Sequence, residues 1–191
     1  MRNSLKYLYS LKKLGQQENI KKAIESVSLD GDWAEFGVSA GGTARVILSV
    51  MPDVTLYLFD SFLGLPEDWV CNGKLFGGHH KGDYSAGLKN LPDKRIKIIP
   101  GLFCDSIPEF VKTHSTPLAF IHIDCDLYSS TRDVLDGIKD LIVPDTIIVF
   151  DDYHSYGGDG WKEHGYKAFQ EFSRSYEYIA RGDRQVSIKM T

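Results

Sequence analysis

Apolar and polar positions along the chain form two kinds of segment that alternate. Short, almost wholly apolar runs of strand length are followed by stretches in which apolar residues recur at helical spacing. An apolar run without alternation is typical of a strand buried on both faces of a parallel sheet. The strand runs are 33–36, 55–59, 95–99, 118–123 and 146–150, and helices are predicted at 43–51, 128–142 and 161–175. Two last strands, 176–181 and 184–190, predict a hairpin at the sheet edge, so the whole pattern favours an α/β fold.

The N-terminal part has helical periodicity of its own. Leucines recur at every third position from 5 to 14, and apolar residues at 20, 23, 24 and 27 follow the spacing of one helix face. Two amphipathic helices broken near Gly15 are predicted. These helices could cover the sheet, close a site or pack on a second subunit. We expect an N-terminal helical segment at 1–30 and a single domain at 31–191.

Composition narrows the class of protein. The chain has 191 residues, enough for one domain with a sizeable core, and its net charge of −4 gives no footprint of nucleic-acid binding. No apolar run approaches the roughly 20 residues of a membrane span, and the start lacks the features of a secretion signal. Three widely spaced cysteines make neither a zinc site nor a disulfide framework. A reducing, cytoplasmic setting is therefore expected.

Acidic residues follow the last two parallel strands. Asp124 and Asp126 come after the fourth strand, and Asp151 and Asp152 come after the fifth. Ligands of parallel sheets bind beyond the carboxyl ends of the strands, so the pattern predicts a carboxylate cluster at that rim. Crowded carboxylates need a proton, a basic partner or a cation, and this set favours a hard divalent cation such as Mg²⁺. Alternatively, one or two of these residues cap the following helix or turn.

A glycine-rich loop follows the first strand and precedes a helix. Glycines at 37, 41 and 42 let the backbone approach a ligand, and the helix N-terminus offers free N–H groups. The spacing matches neither the dinucleotide fingerprint nor a P-loop. Glu35, two residues before the loop, suits a ligand that carries an amine or a sulfonium. The alternative is a tight turn with a helix cap.

Two further positions carry a cofactor signal. Asp60 ends the second strand, where an acid can bind the two hydroxyls of a ribose. Phe103 and Cys104 lie in the predicted rim loop 101–105 after the third strand, where they could flank a flat ring such as adenine or simply belong to the core.

Residues 61–91 form a long, irregular segment between the second and third strands. Such a length indicates either a functional lid or an excursion over the surface. As a lid it would offer aromatic and basic side chains to a substrate. They are Trp69, Phe76, His79, His80 and Tyr84.

Four strings resemble the macrocin O-methyltransferase family of class I methyltransferases. They are the stretches 33–42, 58–66, 123–131 and 151–153, and the resemblance covers roughly residues 31–190. It implies a Rossmann-like fold, with a mostly parallel seven-stranded sheet, a C-terminal antiparallel hairpin and helices on both faces. It also implies S-adenosylmethionine as methyl donor, with magnesium near the acceptor hydroxyl. Members of the family methylate sugar hydroxyls during natural-product biosynthesis.

Carried over by position, the resemblance assigns roles to individual residues. Glu35 and the stretch 37–43 would hold the methionine part of the donor, and Asp60 would take the ribose hydroxyls. The loop residues are Gly37, Ser39, Gly41, Gly42 and Thr43; Ser61 and Phe62 stand beside Asp60; Phe103, Cys104 and Asp105 would border the adenine; and Asp124, Asp151 and Asp152 would bind the metal.

The general base is not fixed by the resemblance. The related catechol enzymes have a lysine base where this chain has Leu127. His154, next to the metal acids, is the leading candidate for taking the acceptor proton, with Asp124 and Asp126 as alternatives. His122 lies inside a strand and is expected to be a packed core histidine.

The expected reaction is an SN2 transfer of a methyl group to a hydroxyl of a small molecule. The acceptor is expected to be a sugar or a glycosylated metabolite, and a diol that chelates the metal fits well. A catechol-like enzyme acting on a phenolic diol, a catalytically silent binding protein and a nicotinamide oxidoreductase are the alternatives. The glycine spacing speaks against the last of these. Self-association into a homo-oligomer is a further expectation.

Overall fold

A computed structural model describes residues 2–86 and 93–191, so the end of the irregular segment, 87–91, lies outside the described residues. The strands are β1 (Asp32–Phe36), β2 (Leu56–Asp60), β3 (Val70–Cys71), β4 (Lys74–Leu75), β5 (Ile96–Pro100), β6 (Leu118–Ile123), β7 (Ile147–Phe150), β8 (Tyr176–Arg181) and β9 (Val186–Met190). The helices are α1 (Leu5–Ser10), α2 (Gln16–Glu25), α3 (Gly42–Val50), α4 (Phe103–Val111), α5 (Tyr128–Gly137) and α6 (Gly165–Phe172), with a 3₁₀ turn at Gly160–Glu163.

The main sheet has seven strands in the order β5-β2-β1-β6-β7-β9-β8. Strands β5, β2, β1, β6 and β7 run parallel, and β9 pairs antiparallel with β7. The predicted mostly parallel sheet with a terminal hairpin at its edge is therefore confirmed. The strand order reverses between β1 and β6, which opens a crevice at their carboxyl ends.

Helices cover both faces of the sheet. Helices α2 and α3 pack over one face with Ile20, Ile47 and Val149, and α4, α5 and α6 pack over the other with Ile107 and Val134. The central strand β6 is buried along its whole length, which explains its apolar run without alternation. The chain between α1 and α2 also bridges to the edge strand β8.

Three predicted boundaries are wrong. Helix α5 ends at Gly137 instead of 142, and the stretch 161–175 is a 3₁₀ turn followed by α6 because His164 leaves the helical conformation. Helix α4 begins at Phe103, so Phe103 and Cys104 lie in a helical turn and not in a rim loop. No helix of the described residues is long and apolar enough to cross a membrane.

Candidate active site

A cavity of about 520 Å³ opens at the carboxyl ends of β1, β2, β5 and β6. Six of the residues predicted for the donor line it, together with Asp124, Asp126 and Asp152. The six are Gly37, Ser39, Asp60, Ser61, Phe103 and Cys104. The others predicted for the donor do not line it; they are Glu35, Gly41, Gly42, Thr43, Phe62 and Asp105.

Asp60 holds the glycine loop in place. One carboxylate oxygen accepts hydrogen bonds from the backbone N–H of Val38 at 2.7 Å and of Ser39 at 2.8 Å. The other accepts from Phe62 N–H at 2.7 Å. Gly37 has φ +86°, and a Cβ there would collide with the carbonyl oxygen of Asp124. The donor loop and the acidic segment are therefore in direct backbone contact.

Three carboxyl groups converge on the cavity. Oxygens of Asp124, Asp126 and Asp152 lie within 4.8 Å of one another. Burial, and then repulsion by neighbouring carboxylates, raises the pKa of Asp124 and of Asp126 well above the usual range, and the same causes raise the pKa of Asp152 to about 6. Such a cluster fits a hard divalent cation, whose charge would relieve the repulsion.

Asp151 faces away from this cluster. Its Oδ1 accepts hydrogen bonds from the side-chain amides of Gln16, at 3.1 Å, and of Gln185. The Nε2 atom of His122 lies 3.7 Å from the same oxygen. The structure thus brings Asp126, and not Asp151, together with Asp124 and Asp152. The metal set predicted from the sequence contained Asp151 in place of Asp126. It differs from the observed cluster because the side chains of the consecutive residues Asp151 and Asp152 point in different directions.

His122 is buried as expected, but it is not a simple core residue. Its Nδ1 lies 3.6 Å from Glu35 Oε1, on the opposite side from Asp151. Burial alone would lower its pKa, but Asp151 and Glu35 raise the pKa of His122 to about 10. Burial raises the pKa of Glu35. The strand register pairs Glu35 with His122, which a sequence-level pairing of β1 with β6 would have revealed.

His154 lies away from the cavity. Its Nδ1 is 2.7 Å from Ser155 Oγ, its Nε2 is 3.2 Å from the carbonyl oxygen of Gln185, and its ring meets Tyr9 edge-on. Burial lowers the pKa of His154 to about 4. The backbone N–H of His154 donates to Arg184 O, and the His154 side chain does not line the cavity. The structure does not bring the leading candidate base to the site.

Several cavity residues come from outside the strand ends. Trp69, His79 and Tyr84 line the wall, as the lid interpretation expected, whereas Phe76 and His80 do not line it. Arg184, on the turn between β8 and β9, was missed, and its guanidinium lies 3.4 Å from Asp152 Oδ1. Nothing local in the sequence marks an arginine on a hairpin turn as a cavity residue.

Comparison with curated proteins finds relatives that act on natural products. The 8-demethyl-8-(2,3-dimethoxy-alpha-L-rhamnosyl)-tetracenomycin-C 4'-O-methyltransferase of Streptomyces olivaceus is 29% identical over 161 residues, which cover 73% of this chain and 60% of that protein. The demethyldecarbamoylnovobiocin O-methyltransferase of Streptomyces niveus is 28% identical, covering 71% of this chain and 59% of that protein. The chain thus spans about three fifths of the length of these relatives.

Solved structures and a family model agree with these relatives. The O-methyltransferase NovP superposes with a TM-score of 0.69 at 26% identity, covering 92% of this chain and 79% of that chain. The calicheamicin methyltransferase CalS11 has a TM-score of 0.72 at 16% identity, covering 97% and 80%, and supports the fold alone. The family model described as macrocin-O-methyltransferase (TylF) matches residues 8–179. The chain therefore belongs to the macrocin O-methyltransferase family and has its Rossmann-like methyltransferase fold.

Proposed function

We propose that this protein is an S-adenosylmethionine-dependent, metal-dependent O-methyltransferase that acts on a hydroxyl of a sugar or a glycosylated metabolite. One observation carries the proposal. A single cavity joins a glycine loop held by Asp60 to three convergent carboxyl groups. The first feature suits a nucleoside-bearing donor, and the second suits a cation that binds an acceptor oxygen.

The donor end of the cavity consists of the glycine loop, Asp60 and the start of α4. Gly37 and Ser39 would lie along the methionine part, and Asp60 would face the ribose. Phe103 and Cys104 offer an apolar wall for the adenine. Glu35 is buried and does not line the cavity, and its Oε1 faces His122 at 3.6 Å, so we propose that it positions this part of β1 and β6 and does not contact the donor. When bound, the donor supplies an activated methyl group.

The acceptor end consists of the acid cluster and the residues around it. Asp124, Asp126 and Asp152 would hold Mg²⁺, which would lower the pKa of an acceptor hydroxyl bound beside it and fix its position. Carboxylates that hold the cation would stay ionised, because its charge offsets the repulsion that raises their pKa. Asp126 is our candidate for accepting the hydroxyl proton because it lies on the cavity wall. Asp151 would orient this rim through His122.

Calorimetric titration with S-adenosylhomocysteine tests the donor site, first with Mg²⁺ and then with EDTA. We expect micromolar binding, and loss of most of it in Asp60→Ala, because that change removes both the ribose partner and the support of the loop. The matched control is Asp53→Ala, which alters an exposed acid far from the cavity. Thermal unfolding of each variant separates loss of binding from loss of folding. Absence of product binding under both conditions would sink the proposal.

Titration with Mg²⁺ alone tests the acid cluster. Asp152→Asn is expected to abolish binding, whereas Asp151→Asn is expected to weaken it only modestly, since Asp151 bonds to Gln16 and Gln185. Loss of binding in Asp151→Asn as complete as in Asp152→Asn would instead favour the metal set predicted from the sequence, Asp124, Asp151 and Asp152.

A further inference from the structure

The cavity wall carries one arginine among many acids. Of the described residues that line the cavity, six have carboxyl groups, none is a lysine, and the single arginine is Arg184. A cavity that is proposed to take a cationic donor and a divalent cation is not expected to hold a further positive charge, because like charges repel. The position of Arg184 at this wall therefore needs a physical reason.

The guanidinium of Arg184 contacts the acid cluster through one long bond. Its Nη1 donates to Asp152 Oδ1 at 3.4 Å, whereas strong arginine–carboxylate pairs have two shorter bonds. The Arg184 side chain is 50% exposed and that of Asp152 is 10% exposed. Burial, and then neighbouring carboxylates, raise the pKa of both Asp126 and Asp152, whereas the charge of Arg184 opposes that rise. Arg184 is thus a loosely bound counter-ion of two cluster carboxyl groups.

The main chain keeps Arg184 beside the end of β7. Its carbonyl oxygen accepts hydrogen bonds from the backbone N–H of Tyr153 at 3.0 Å and of His154 at 3.2 Å. These two residues directly follow Asp152 in the chain. The β8–β9 turn is therefore tied to the segment after β7, so Arg184 stays near Asp152 even when their side chains are not in contact.

Two aromatic rings offer the guanidinium a second set of contacts. Its Cζ lies 5.7 Å from the centre of the Tyr156 ring and 5.9 Å from that of Phe76. Tyr156 belongs to the loop after β7, and Phe76 belongs to the segment 63–86, several residues of which line the cavity. The faces of such rings attract a cation. A guanidinium that leaves Asp152 thus keeps favourable partners.

The charges around the cluster match one divalent cation. Three ionised carboxylates and the guanidinium of Arg184 together have a net charge of −2. Without the guanidinium, a divalent cation would meet a net charge of −3 and an Asp152 oxygen with one partner fewer. Such a cation would therefore bind more tightly in the absence of Arg184.

We propose that Arg184 is an internal counter-ion of the acid cluster, that it competes with a divalent cation for Asp152, and that this competition sets the affinity of the site for the cation. When the cluster holds the cation, the guanidinium leaves Asp152 and keeps its contacts with the Tyr156 and Phe76 rings. Arg184 thus lowers the affinity of the site and keeps its cation exchangeable. This inference rests on the metal-dependent part of the proposed function.

The test is calorimetric titration of the full chain with Mg²⁺ at about pH 8.5, where protons compete little with the cation for the carboxylates. Arg184→Gln keeps a polar side chain and removes the charge. We expect it to bind Mg²⁺ about three- to tenfold more tightly than wild type, because solvent screens part of the charge of a half-exposed arginine. Arg184→Lys keeps the charge, and its affinity is expected to stay within about twofold of wild type.

Arg132→Gln is the matched control. Arg132 also pairs with a carboxylate, that of Glu171 at 2.8 Å, and it does not line the cavity. We expect this variant to bind Mg²⁺ as wild type does. Thermal unfolding and titration with S-adenosylhomocysteine, both in EDTA, check that each variant keeps its fold and its donor end. Arg184→Met, which also lacks the charge, replaces Arg184→Gln if the latter folds poorly.

The outcomes are distinct. Tighter Mg²⁺ binding by Arg184→Gln, with Arg184→Lys and Arg132→Gln close to wild type, would support the proposal. Equal binding by wild type and Arg184→Gln would overturn it, because the guanidinium would then not compete. Weaker binding by a folded Arg184→Gln would also overturn it and would make Arg184 a support for Asp152. Absence of Mg²⁺ binding by both proteins would instead overturn the metal-dependent function, and this inference with it.

Discussion

At the donor end of the cavity, the polar groups stand at the ends of buried parallel strands and are held by backbone hydrogen bonds. Asp60 illustrates this, because three backbone N–H groups within two short loops fix its carboxylate. At the acceptor end, the 63–86 segment and Arg184 supply side chains from irregular backbone, which distant contacts hold in place. The donor end follows from local rules of an α/β sheet, whereas the acceptor end depends on long-range packing.

The acid cluster lies between these two ends, and its removal is expected to have the largest effect. Asp124→Asn keeps the size of the side chain and removes a charge that a divalent cation requires. We expect methyl transfer to fall about 10³-fold or more, with Mg²⁺ affinity lost in parallel. Rates of transfer from labelled S-adenosylmethionine and Mg²⁺ titration measure this. Asp133→Asn, which lines the cavity outside the cluster, is the control. Activity of Asp124→Asn within tenfold of wild type would contradict a metal role.

Gly37→Ala tests whether the donor end depends on backbone contact. The added Cβ would strike the carbonyl oxygen of Asp124, and the backbone has φ +86°. We expect a loss of about 2–4 kcal/mol in the free energy of unfolding, measured with urea. Gly15→Ala is the control, since nothing lies within 4 Å of a Cβ there. Equal stability of the two variants would mean that the loop can shift at little cost.

Ser129→Ala addresses the acceptor end. It removes the hydroxyl that donates to Glu67 and anchors the 63–86 segment. We expect KM for the acceptor to rise about two- to fivefold while affinity for S-adenosylhomocysteine stays unchanged. Ser49→Ala, on the surface of α3, serves as control. A matching loss of donor affinity would show that the two ends are not independent.

The smallest expected effect concerns pH. Burial lowers the pKa of His164 below its ordinary value of 6.5, so its neutral form is favoured in the folded protein. Its contribution to stability is present above pH 6.5 and is lost as pH falls below that value, because the unfolded chain then binds the proton more readily. The protection factors of the Val70 and Cys71 amides, obtained by dividing the intrinsic exchange rate at each pH by the measured rate, should therefore fall modestly on acidification. His164→Gln should remove this pH dependence, and an unchanged slope would refute the assignment.

Much of the sheet could be predicted from the sequence because strands buried on both faces appear in it as apolar runs. Strands β6 and β7 are buried at every position and apolar at all but His122, and the acids that follow them mark the rim. The seven strands, the terminal hairpin and the family were predicted correctly. Helix ends were less predictable, as at Gly137 and His164, because local backbone geometry ends those helices within a continuous apolar pattern.

Side-chain direction could not be predicted in the same way. Asp151 and Asp152 are adjacent in sequence, yet the first bonds to amides from α2 and the β8–β9 turn while the second faces the cavity. His154 follows two residues later, and its ring contacts Ser155, the carbonyl oxygen of Gln185 and Tyr9 outside the cavity. Such outcomes depend on partners that are distant in the chain: Gln185 is 34 residues from Asp151, and Gln16 is 135 residues from it.

The contact between Gly37 and Asp124 has a consequence for how such enzymes diversify. Asp124 N–H donates to Phe36 O at 2.8 Å, and the two backbones touch at Gly37. The distance between the glycine loop and the acid cluster is therefore fixed by a main-chain contact. Under the proposed function, we expect sequence change in the 63–86 segment to alter which acceptor enters without altering that spacing. The choice of acceptor and the geometry of methyl transfer could then change independently.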